Sequence, residues 1–494
     1  MRQVTLCGGT AALNSVCYEL KAKSGEAFAA DGFVAEISAE KTVVYADRAR
    51  ERAWAEAELS RMAEGGEIPC GKYVYRADFK VRGIIEGFYG KPWTMDSRRK
   101  LLHALSRHGM NEYFYGPKDD PYHRDRWREC YGEGDDAVLK ELISIASAND
   151  MEFRYMLAPG LDIRYTSEAD LQALAAKYRQ VWSFGVKRFG LLLDDLESAT
   201  MYEEDAAVYP RQVDAHIALT NRVWRDLQAI DPEISLIVCP TQYWGDVYGP
   251  YIHALGQGIP AEVELFFTGS RICSDRLTRK EAEDFIDSTG HAPIYWDNYP
   301  VNDMEMIDEM HLMPYTGREP SLAAVCGGIV LNPMEYATAS LIPLLCAADF
   351  LANAEEYDPA KSFDGAVTEV LGAEFVESVR RFAELGWRSC LTKSGHHFRY
   401  DAEDGCNLLF ETAFAAGKDA LIAYARETAE LLAKLENADA GFVAEVRRWL
   451  DTARTFADAL LASCESGDPA ALRAYLSRTE ALMKPEAYRV ICSL

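Results

Sequence analysis

One pattern of hydrophobic and polar positions repeats through the middle of the chain, from residue 80 to about residue 352. Short apolar runs are followed by polar turns and then by longer stretches whose apolar residues recur at helical spacing. An apolar run without alternation is typical of a strand that is covered on both faces, as in a parallel sheet. The runs that predict such strands are 82–88, 112–115, 153–157, 189–194, 235–239, 263–267, 293–296 and 328–332.

Helical spacing fills most of the intervals between these strands. The predicted helices are 94–109, 135–149, 168–185, 206–230 and 278–288. Eight strand-then-helix units at this spacing predict an α/β fold, a closed (β/α)8 barrel. A doubly wound open sheet is the alternative, and it is less favoured because polar side chains that could bind a ligand follow nearly every strand.

The two ends of the chain have different patterns. The first part contains an Ala-, Glu- and Arg-rich helix near 46–64 and strand-like runs at 33–37, 42–45 and 73–79. After residue 353 strand signals are few, and helical spacing predicts helices near 373–392, 408–435, 440–465 and 468–484. The sequence therefore predicts three domains, which are a small N-terminal α/β domain (1–78), the barrel (79–352) and a helical C-terminal domain (353–494).

The composition narrows the classes of function. The 494 residues are 49% hydrophobic and 26% charged, with a formal net charge of -26 at pH 7. Because an acidic field repels phosphate, neither nucleic acid nor a membrane is an expected partner. The first residues lack the apolar core of a signal peptide, and no later run reaches the roughly 18 apolar residues of a membrane span. A cytoplasmic location is therefore expected, whereas the oligomeric state cannot be predicted.

Two adjacent carboxylates, Asp194 and Asp195, follow the leucine run 191–193 of the fourth predicted strand. In a barrel the carboxyl ends of the strands carry the chemistry. Neighbouring acids repel each other, and environments that differ could keep one protonated and the other charged near neutral pH. Such a pair suits acid catalysis. The alternative is structural, with Asp195 capping the next segment and Asp194 binding a loop.

The other strand ends combine aromatic rings with Asp, Asn and Lys side chains, a mixture that suits a sugar. These ends are 87–90, 116–122, 240–244, 268–269, 296–300 with Asp303 just beyond it, and 332–333. Structural alternatives exist for each one. Lys118 could pair with Asp119 or Asp120, Trp296 could be packing, and Asn332 could belong to a turn.

Residues 81–93 (VRGIIEGFYGKPW) resemble the opening signature of glycoside hydrolase family 84, the β-N-acetylglucosaminidases that include protein O-GlcNAcases. Residues 111–120 with 127–128 are similar to the second motif of that family. The later motifs follow in the same order at 193–195, 240–243, 296–298 with Asp303, and 331–333. The resemblance covers roughly residues 80–350, and bacterial members carry similar flanking domains.

This resemblance implies a retaining exo-β-N-acetylglucosaminidase that needs no metal or organic cofactor. Asp194 would accept the N–H of the 2-acetamido group, whose oxygen attacks the anomeric carbon and forms an oxazoline. Asp195 would protonate the departing oxygen and later deprotonate water. Neither acid has to reach the anomeric carbon, which explains how they can be sequence neighbours.

The resemblance also implies a binding set. The sugar hydroxyls would be bound by the backbone of Gly87 and by Lys118, Asp303 and Asn332. The acetamido group would be positioned by Tyr243 and Asn298, with Trp296 as the wall of its methyl pocket. The expected partner is β-linked N-acetylglucosamine on glycans or glycoproteins.

Two departures from the family pattern and two other functions stay open. Gln242 replaces a frequent Glu, and 267–270 (FTGS) replaces a more usual Trp-Thr-Gly-Pro, which leaves the acetamido pocket in question. The first other function is a non-catalytic N-acetylglucosamine-binding protein. The second is a metal-dependent barrel enzyme with Asp119, Asp120 and Asp194 as ligands.

Overall fold

The computed structural model describes seven parts of the chain, which are residues 2–11, 16–26, 31–63, 66–196, 201–386, 408–478 and 483–494. The chain divides into two compact units. The first unit comprises Met1–Asn298, Arg318–Asn332 and Ala348–Tyr357, and the second comprises Tyr299–Gly317, Pro333–Ala347 and Asp358–Leu494. The three domains drawn from the sequence stay a prediction.

The first unit begins with a five-stranded sheet in the order β1-β5-β3-β4-β2. Its strands are β1 (Arg2–Ala11), β2 (Val16–Glu19), β3 (Gly32–Ile37), β4 (Thr42–Tyr45) and β5 (Ile68–Arg76). Helix α1 (Ala49–Ala63) buries Trp54 against this sheet, where Phe33 stacks on Tyr75 with ring centroids 4.4 Å apart. An apolar core of its own therefore holds this part together.

Eight strands of the first unit form a closed barrel of parallel strands in chain order. They are β6 (Val81–Glu86), β7 (Glu112–Tyr115), β8 (Glu152–Leu157), β9 (Arg188–Leu192), β10 (Ser235–Cys239), β11 (Glu264–Phe267), β12 (Pro293–Asp297) and β13 (Gly328–Leu331). Each coincides with one of the eight predicted runs, so the barrel is confirmed and the open sheet is excluded. Side chains such as Ile85, Phe114, Met156 and Phe266 fill the interior.

Helices connect most of the barrel strands. They are α2 (Met95–Arg107), α3 (Asp135–Ala148), α4 (Glu168–Ser183), α5 (Glu203–Val208), α6 (Gln212–Ile230), α7 (Pro250–Gly258) and α8 (Arg279–Thr289). The single helix predicted at 206–230 was wrong, because α5 and α6 are separate. Tyr209 precedes Pro210 and is extended (φ -116°, ψ 95°), as the proline ring disfavours a helical residue before it.

Beyond the barrel the described chain is helical. The helices are α9 (Ala337–Ala352), α10 (Pro359–Val370), α11 (Val376–Leu385), α12 (Leu408–Ala416), α13 (Lys418–Leu435), α14 (Ala440–Ser466), α15 (Ala470–Leu476) and α16 (Lys484–Ser493). The helix predicted at 408–435 is broken at Gly417, whose φ of 99° is left-handed. The end of the helix predicted at 373–392 lies outside the described residues. None of the described helices combines the length and the apolar character that a bilayer crossing requires.

Candidate active site

The two adjacent acids leave the end of β9 in different directions. Strand β9 ends at Leu192, and the backbone N–H of Leu193 still donates to the carbonyl of Cys239 at 2.9 Å. Asp195 then adopts a left-handed backbone conformation with φ of 53°, which is uncommon outside glycine. This turn gives the carboxylates of Asp194 and Asp195 different partners.

Asp194 forms a buried ion pair with Lys118. Its Oδ2 lies 3.1 Å from Lys118 Nζ, and both side chains are 9% exposed. Burial by itself raises the pKa of Asp194, but the charge and hydrogen bond of Lys118 outweigh it and hold the pKa below its ordinary value. Burial lowers the pKa of Lys118, but the charges of the nearby carboxylates raise it more, so that the pKa of Lys118 lies above its ordinary value. Lys118 therefore pairs with Asp194 rather than with Asp119 or Asp120.

Asp195 is exposed and is held by two tyrosines. Its Oδ2 accepts a hydrogen bond from the Tyr89 hydroxyl at 2.7 Å, and its Oδ1 accepts one from the Tyr243 hydroxyl at 3.2 Å. Burial and then the charge of Asp195 raise the pKa of Tyr243. Burial also raises the pKa of Tyr89, with Asp195 adding to it. Both phenols therefore stay protonated and remain donors to the carboxylate.

Three predicted site residues form one polar cluster at the ends of β12 and β13. Asn298 Oδ1 accepts hydrogen bonds from Trp296 Nε1 and from Asn332 Nδ2, both at 3.0 Å. No donor among the described residues binds the buried Oδ1 of Asn332. An unpaired buried acceptor costs about 1–3 kcal/mol, so a ligand donor at this position would be favourable.

Gly87 lies directly against the indole of Trp296. A Cβ atom at residue 87 would be 2.8 Å from Trp296 Cζ2, which leaves no space for a side chain. Trp296 is also packed edge-on against Phe266, with centroids 5.2 Å apart. The ring is thus fixed in place by the barrel interior, and the backbone at Gly87 can approach it closely.

The loops after β10 and β11 are hydrogen-bonded to each other. The backbone N–H of Thr268 donates to the carbonyl of Tyr243 at 2.8 Å, and that of Gly245 donates to the carbonyl of Gly269 at 2.9 Å. Phe267 is the first residue of segment 267–270, which differs from the family pattern. It packs on Phe285 of α8, with ring centroids 4.7 Å apart. The change at residue 267 therefore lies under a helix, and the loop beside it supports Tyr243.

Asp303 belongs to the second unit, whereas all the other predicted site residues belong to the first. It precedes a short 3-10 helix, Met304–Met306. A buried contact between His311 Nε2 and Glu309 Oε2 at 2.8 Å and a bond from Asn302 Nδ2 to the carbonyl of Glu309 at 2.7 Å stabilise its segment. Its binding role stays a prediction.

Sequence reasoning missed three polar residues near the acids. Tyr89 lies inside a motif that was noted, but no role was predicted for it. Arg124 Nη1 donates to the Tyr89 hydroxyl at 3.2 Å. His123 is buried with Nδ1 2.7 Å from the carbonyl of Met156, and burial together with the charge of Lys118 lowers the pKa of His123 to about 4. Arg124 and His123 lie in a polar loop without periodicity, so no local pattern marked them.

Two of the three acids in the metal-ligand alternative, Asp120 and Asp194, have separate partners. Asp120 Oδ2 accepts hydrogen bonds from the hydroxyls of Tyr115 at 3.0 Å and Tyr131 at 2.8 Å, whereas Asp194 pairs with Lys118. Across the described ranges, no three His, Cys, Asp or Glu side chains are grouped closely enough to hold a metal ion. The set formed by Asp119, Asp120 and Asp194 is therefore not assembled.

A closed (β/α)8 barrel with paired acids and aromatic and amide side chains at its strand ends is the architecture of barrel enzymes that act on sugars. A family model described as beta-N-acetylglucosaminidase matches residues 82–384. The chain therefore belongs to this family, which is glycoside hydrolase family 84.

Curated relatives and solved structures agree with this assignment. The chain is 34% identical over 257 residues to the protein O-GlcNAcases of Rattus norvegicus and Mus musculus. The match covers 51% of this chain but only 28% of each of those longer proteins.

Among solved structures, an O-GlcNAc hydrolase mutant from Thermobaculum terrenum has a TM-score of 0.77 at 29% identity, covering 84% of this chain and 94% of that one. A structure described as CpGH84B has a TM-score of 0.79 at 22% identity, covering 100% of this chain and 95% of that one. The second likeness extends the similarity of fold over the flanking regions.

Proposed function

We propose that this chain is a retaining exo-β-N-acetylglucosaminidase that uses substrate-assisted catalysis. The observation that carries the proposal is the contrast between two neighbouring acids. Asp194 is buried and kept anionic by Lys118, whereas Asp195 is exposed and bound by two tyrosine hydroxyls. The proposed substrate is terminal β-linked N-acetylglucosamine on glycoproteins or glycans, and the protein O-GlcNAcase relatives favour the protein-linked sugar.

In the first step the acetamido group of the substrate is the nucleophile. The Asp194 carboxylate accepts the acetamido N–H, which increases electron density on the acetamido oxygen. That oxygen attacks the anomeric carbon as the N–H proton passes to Asp194 and the bond to the glycosidic oxygen breaks, giving an oxazoline. Protonated Asp195 donates its proton to the departing oxygen.

In the second step Asp195 acts as a base. Its carboxylate removes a proton from water, which attacks the anomeric carbon from the face that the leaving group occupied. The oxazoline opens as its nitrogen takes the proton back from Asp194, which restores the acetamido group, and the configuration is retained. No enzyme nucleophile is required, and this is the substrate-assisted exception to the usual scheme of two carboxylates.

The polar residues near the acids select the sugar in this proposal. The buried Oδ1 of Asn332 and the ammonium of Lys118 bind hydroxyl groups, together with Asp303 and the backbone of Gly87. Trp296 forms the wall of the acetamido methyl pocket, and Tyr243 and Asn298 orient the group. Sites that hydrogen-bond hydroxyls discriminate strongly, because an analogue without one leaves a buried polar atom unpaired.

The proposal is tested by hydrolysis of 4-nitrophenyl β-N-acetylglucosaminide beside the matching β-glucoside and β-N-acetylgalactosaminide. We expect cleavage of the first and none of the β-glucoside, which has no acetamido nucleophile. Asp194→Ala should abolish the activity. Folded wild-type protein that binds N-acetylglucosamine without hydrolysing any of these substrates would contradict the proposal and support the non-catalytic alternative.

A further inference from the structure

Tyr89 lies between the charged groups that surround the two acids. Its hydroxyl donates to Asp195 Oδ2 at 2.7 Å, the shorter of the two tyrosine bonds to that carboxylate. Lys118 Nζ is 5.1 Å from the centroid of its ring, and Arg124 Cζ is 5.9 Å from it. The ring and the hydroxyl are thus both in contact with the charges of the site.

Arg124 determines the direction of the hydrogen bond that Tyr89 makes. A guanidinium group has only donors, so the Tyr89 oxygen must be the acceptor in its 3.2 Å contact with Arg124 Nη1. The single hydroxyl proton of Tyr89 is then donated to Asp195 Oδ2. Tyr243 contacts the other oxygen at 3.2 Å, and within the described ranges no arginine donates to its hydroxyl.

A buried network fixes the turn that carries Tyr89. Glu86, the last residue of β6, accepts hydrogen bonds from Arg98 at 2.6 and 2.9 Å and from the backbone N–H of Trp93 at 3.2 Å. Phe88 packs on Trp93, with centroids 5.3 Å apart. The segment between these anchors holds Tyr89 on the same side as the acids.

We propose that Tyr89, oriented by Arg124, is a positioning residue that anchors Asp195 through Oδ2 and thereby makes Oδ1 the oxygen that transfers the proton. In the first step the proton leaves Oδ1 for the glycosidic oxygen as the bond to the anomeric carbon breaks. In the second step Oδ1 receives the proton of the attacking water. Tyr243 releases Oδ1 for this purpose. The inference rests on the proposed function.

The test is the dependence of kcat/KM on the leaving group. Aryl β-N-acetylglucosaminides from dinitrophenyl to unsubstituted phenyl need increasing help from an acid. We expect Tyr89→Phe to lower kcat/KM about 10- to 100-fold for phenyl and less than about 3-fold for dinitrophenyl. The matched control is Tyr45→Phe, which removes a tyrosine bond to Glu36 at 3.1 Å in the N-terminal sheet, and it should leave both values unchanged.

Arg124→Lys is a second, independent test, because it keeps the positive charge but loses the planar guanidinium group whose Nη1 donates to Tyr89. We expect a smaller loss with the same dependence on the leaving group, and no further loss when it is added to Tyr89→Phe, since Arg124 acts through Tyr89. A Tyr89→Phe loss that is equal for all leaving groups, or absent, overturns the anchoring role. Additive losses in the double variant overturn the role of Arg124. Wild-type protein that is inactive on all substrates instead refutes the proposed function itself.

Discussion

Lys118 and Asp194 depend on each other for their charges. Each is buried, and burial by itself would favour the neutral form of both side chains. The structural alternative for Asp194, a carboxylate that binds a loop, does not need a buried cation. The ion pair therefore indicates that the protein maintains an anion at this position.

Lys118→Met should move the acidic limb of the pH profile of kcat/KM to higher pH. Burial raises the pKa of Asp194, and the charge and hydrogen bond of Lys118 oppose burial and hold the pKa below its ordinary value, so the anion persists as the pH falls. Without Lys118 this opposition to burial is lost, and the carboxylate is protonated at a higher pH. We expect a shift of at least about one pH unit and a loss of about 100-fold at neutral pH. Lys140→Met, at a half-exposed lysine paired with Asp136 at 2.7 Å, is the control. An unmoved limb would contradict this account.

Asp194 and Asp195 should respond differently to the leaving group. Asp194→Ala removes the group that orients the nucleophile, so activity should fall below detection for every aryl substrate. Asp195→Asn removes only the acid, and its loss should be about 100-fold or more for phenyl but below about 10-fold for dinitrophenyl. Steady-state kinetics with both substrates measure this. Equal losses in Asp195→Asn would count against its role as the acid.

Asn332→Ala should separate a binding role from a role in a turn. The substitution removes the bond from Asn332 Nδ2 to Asn298 Oδ1, but it also removes the buried Oδ1, which has no donor within the described part of the chain. Because the second effect offsets the first, the free energy of unfolding should change by less than about 1 kcal/mol. The lost hydroxyl contact should lower kcat/KM by about 10- to 100-fold. Urea unfolding beside kinetics decides between the roles, and a large loss of stability with normal kinetics would favour the turn.

At the scale of elements, the turn after β6 depends on a single carboxylate. Glu86 is 1% exposed and binds Arg98 of α2, the N–H of Trp93 and the hydroxyl of Tyr113. The run at 82–88 could be predicted as a strand from its apolar residues. The pairing of Glu86 with Arg98 of α2 could not be predicted, because nothing in either segment specifies how the strand and the helix face each other.

Glu86→Ala should lower the free energy of unfolding by about 3–5 kcal/mol, because Arg98 is left buried without its partner. The next arginine along the helix offers a matched control. Glu141→Ala removes a surface pair with Arg99, at 2.9 Å and about half exposed, and should change stability by less than about 1 kcal/mol. Urea denaturation of the two variants measures the difference. Similar losses of unfolding free energy in both variants would show that the buried pair contributes no more to stability than the surface pair does.

At the scale of the whole molecule, an ion triad links the neighbouring strands β7 and β8 to β11, which pairs with neither of them in the barrel. Arg154 of β8 is completely buried and contacts Glu112 of β7 at 2.6 Å and Glu264 of β11 at 2.7 Å. Glu112 and Glu264 are the first residues of their strands, so the triad lies at the end opposite to the acids. It therefore contributes to the closure of the barrel rather than to the site.

Arg154→Met should destabilise the protein by about 3–5 kcal/mol at pH 8, since Glu112 keeps its charge without a cation. Burial already raises the pKa of Glu112, so protonation relieves the repulsion and the loss should be smaller at pH 5. Chemical denaturation at both pH values tests this. Arg188→Met, at a partly exposed arginine 3.8 Å from Glu152, should have little effect. A loss in the Arg154 variant that does not depend on pH would contradict the explanation.

The sequence by itself determined the eight barrel strands, their order and the position of the acid pair. These features depend on local patterns, because a short apolar run between polar turns is by itself a signal for a buried strand. The breaks at Pro210 and Gly417 are local too, and they were missed because helical spacing continues across them.

Only the tertiary structure decided which partners the two acids have. Asp194 pairs with Lys118, and Asp195 accepts a hydrogen bond from Tyr89. Each of these contacts joins residues from different strand ends. Distances and hydrogen-bond directions between such residues depend on how every strand and loop packs. No short stretch of sequence contains that information, since each partner is specified by the closure of the barrel.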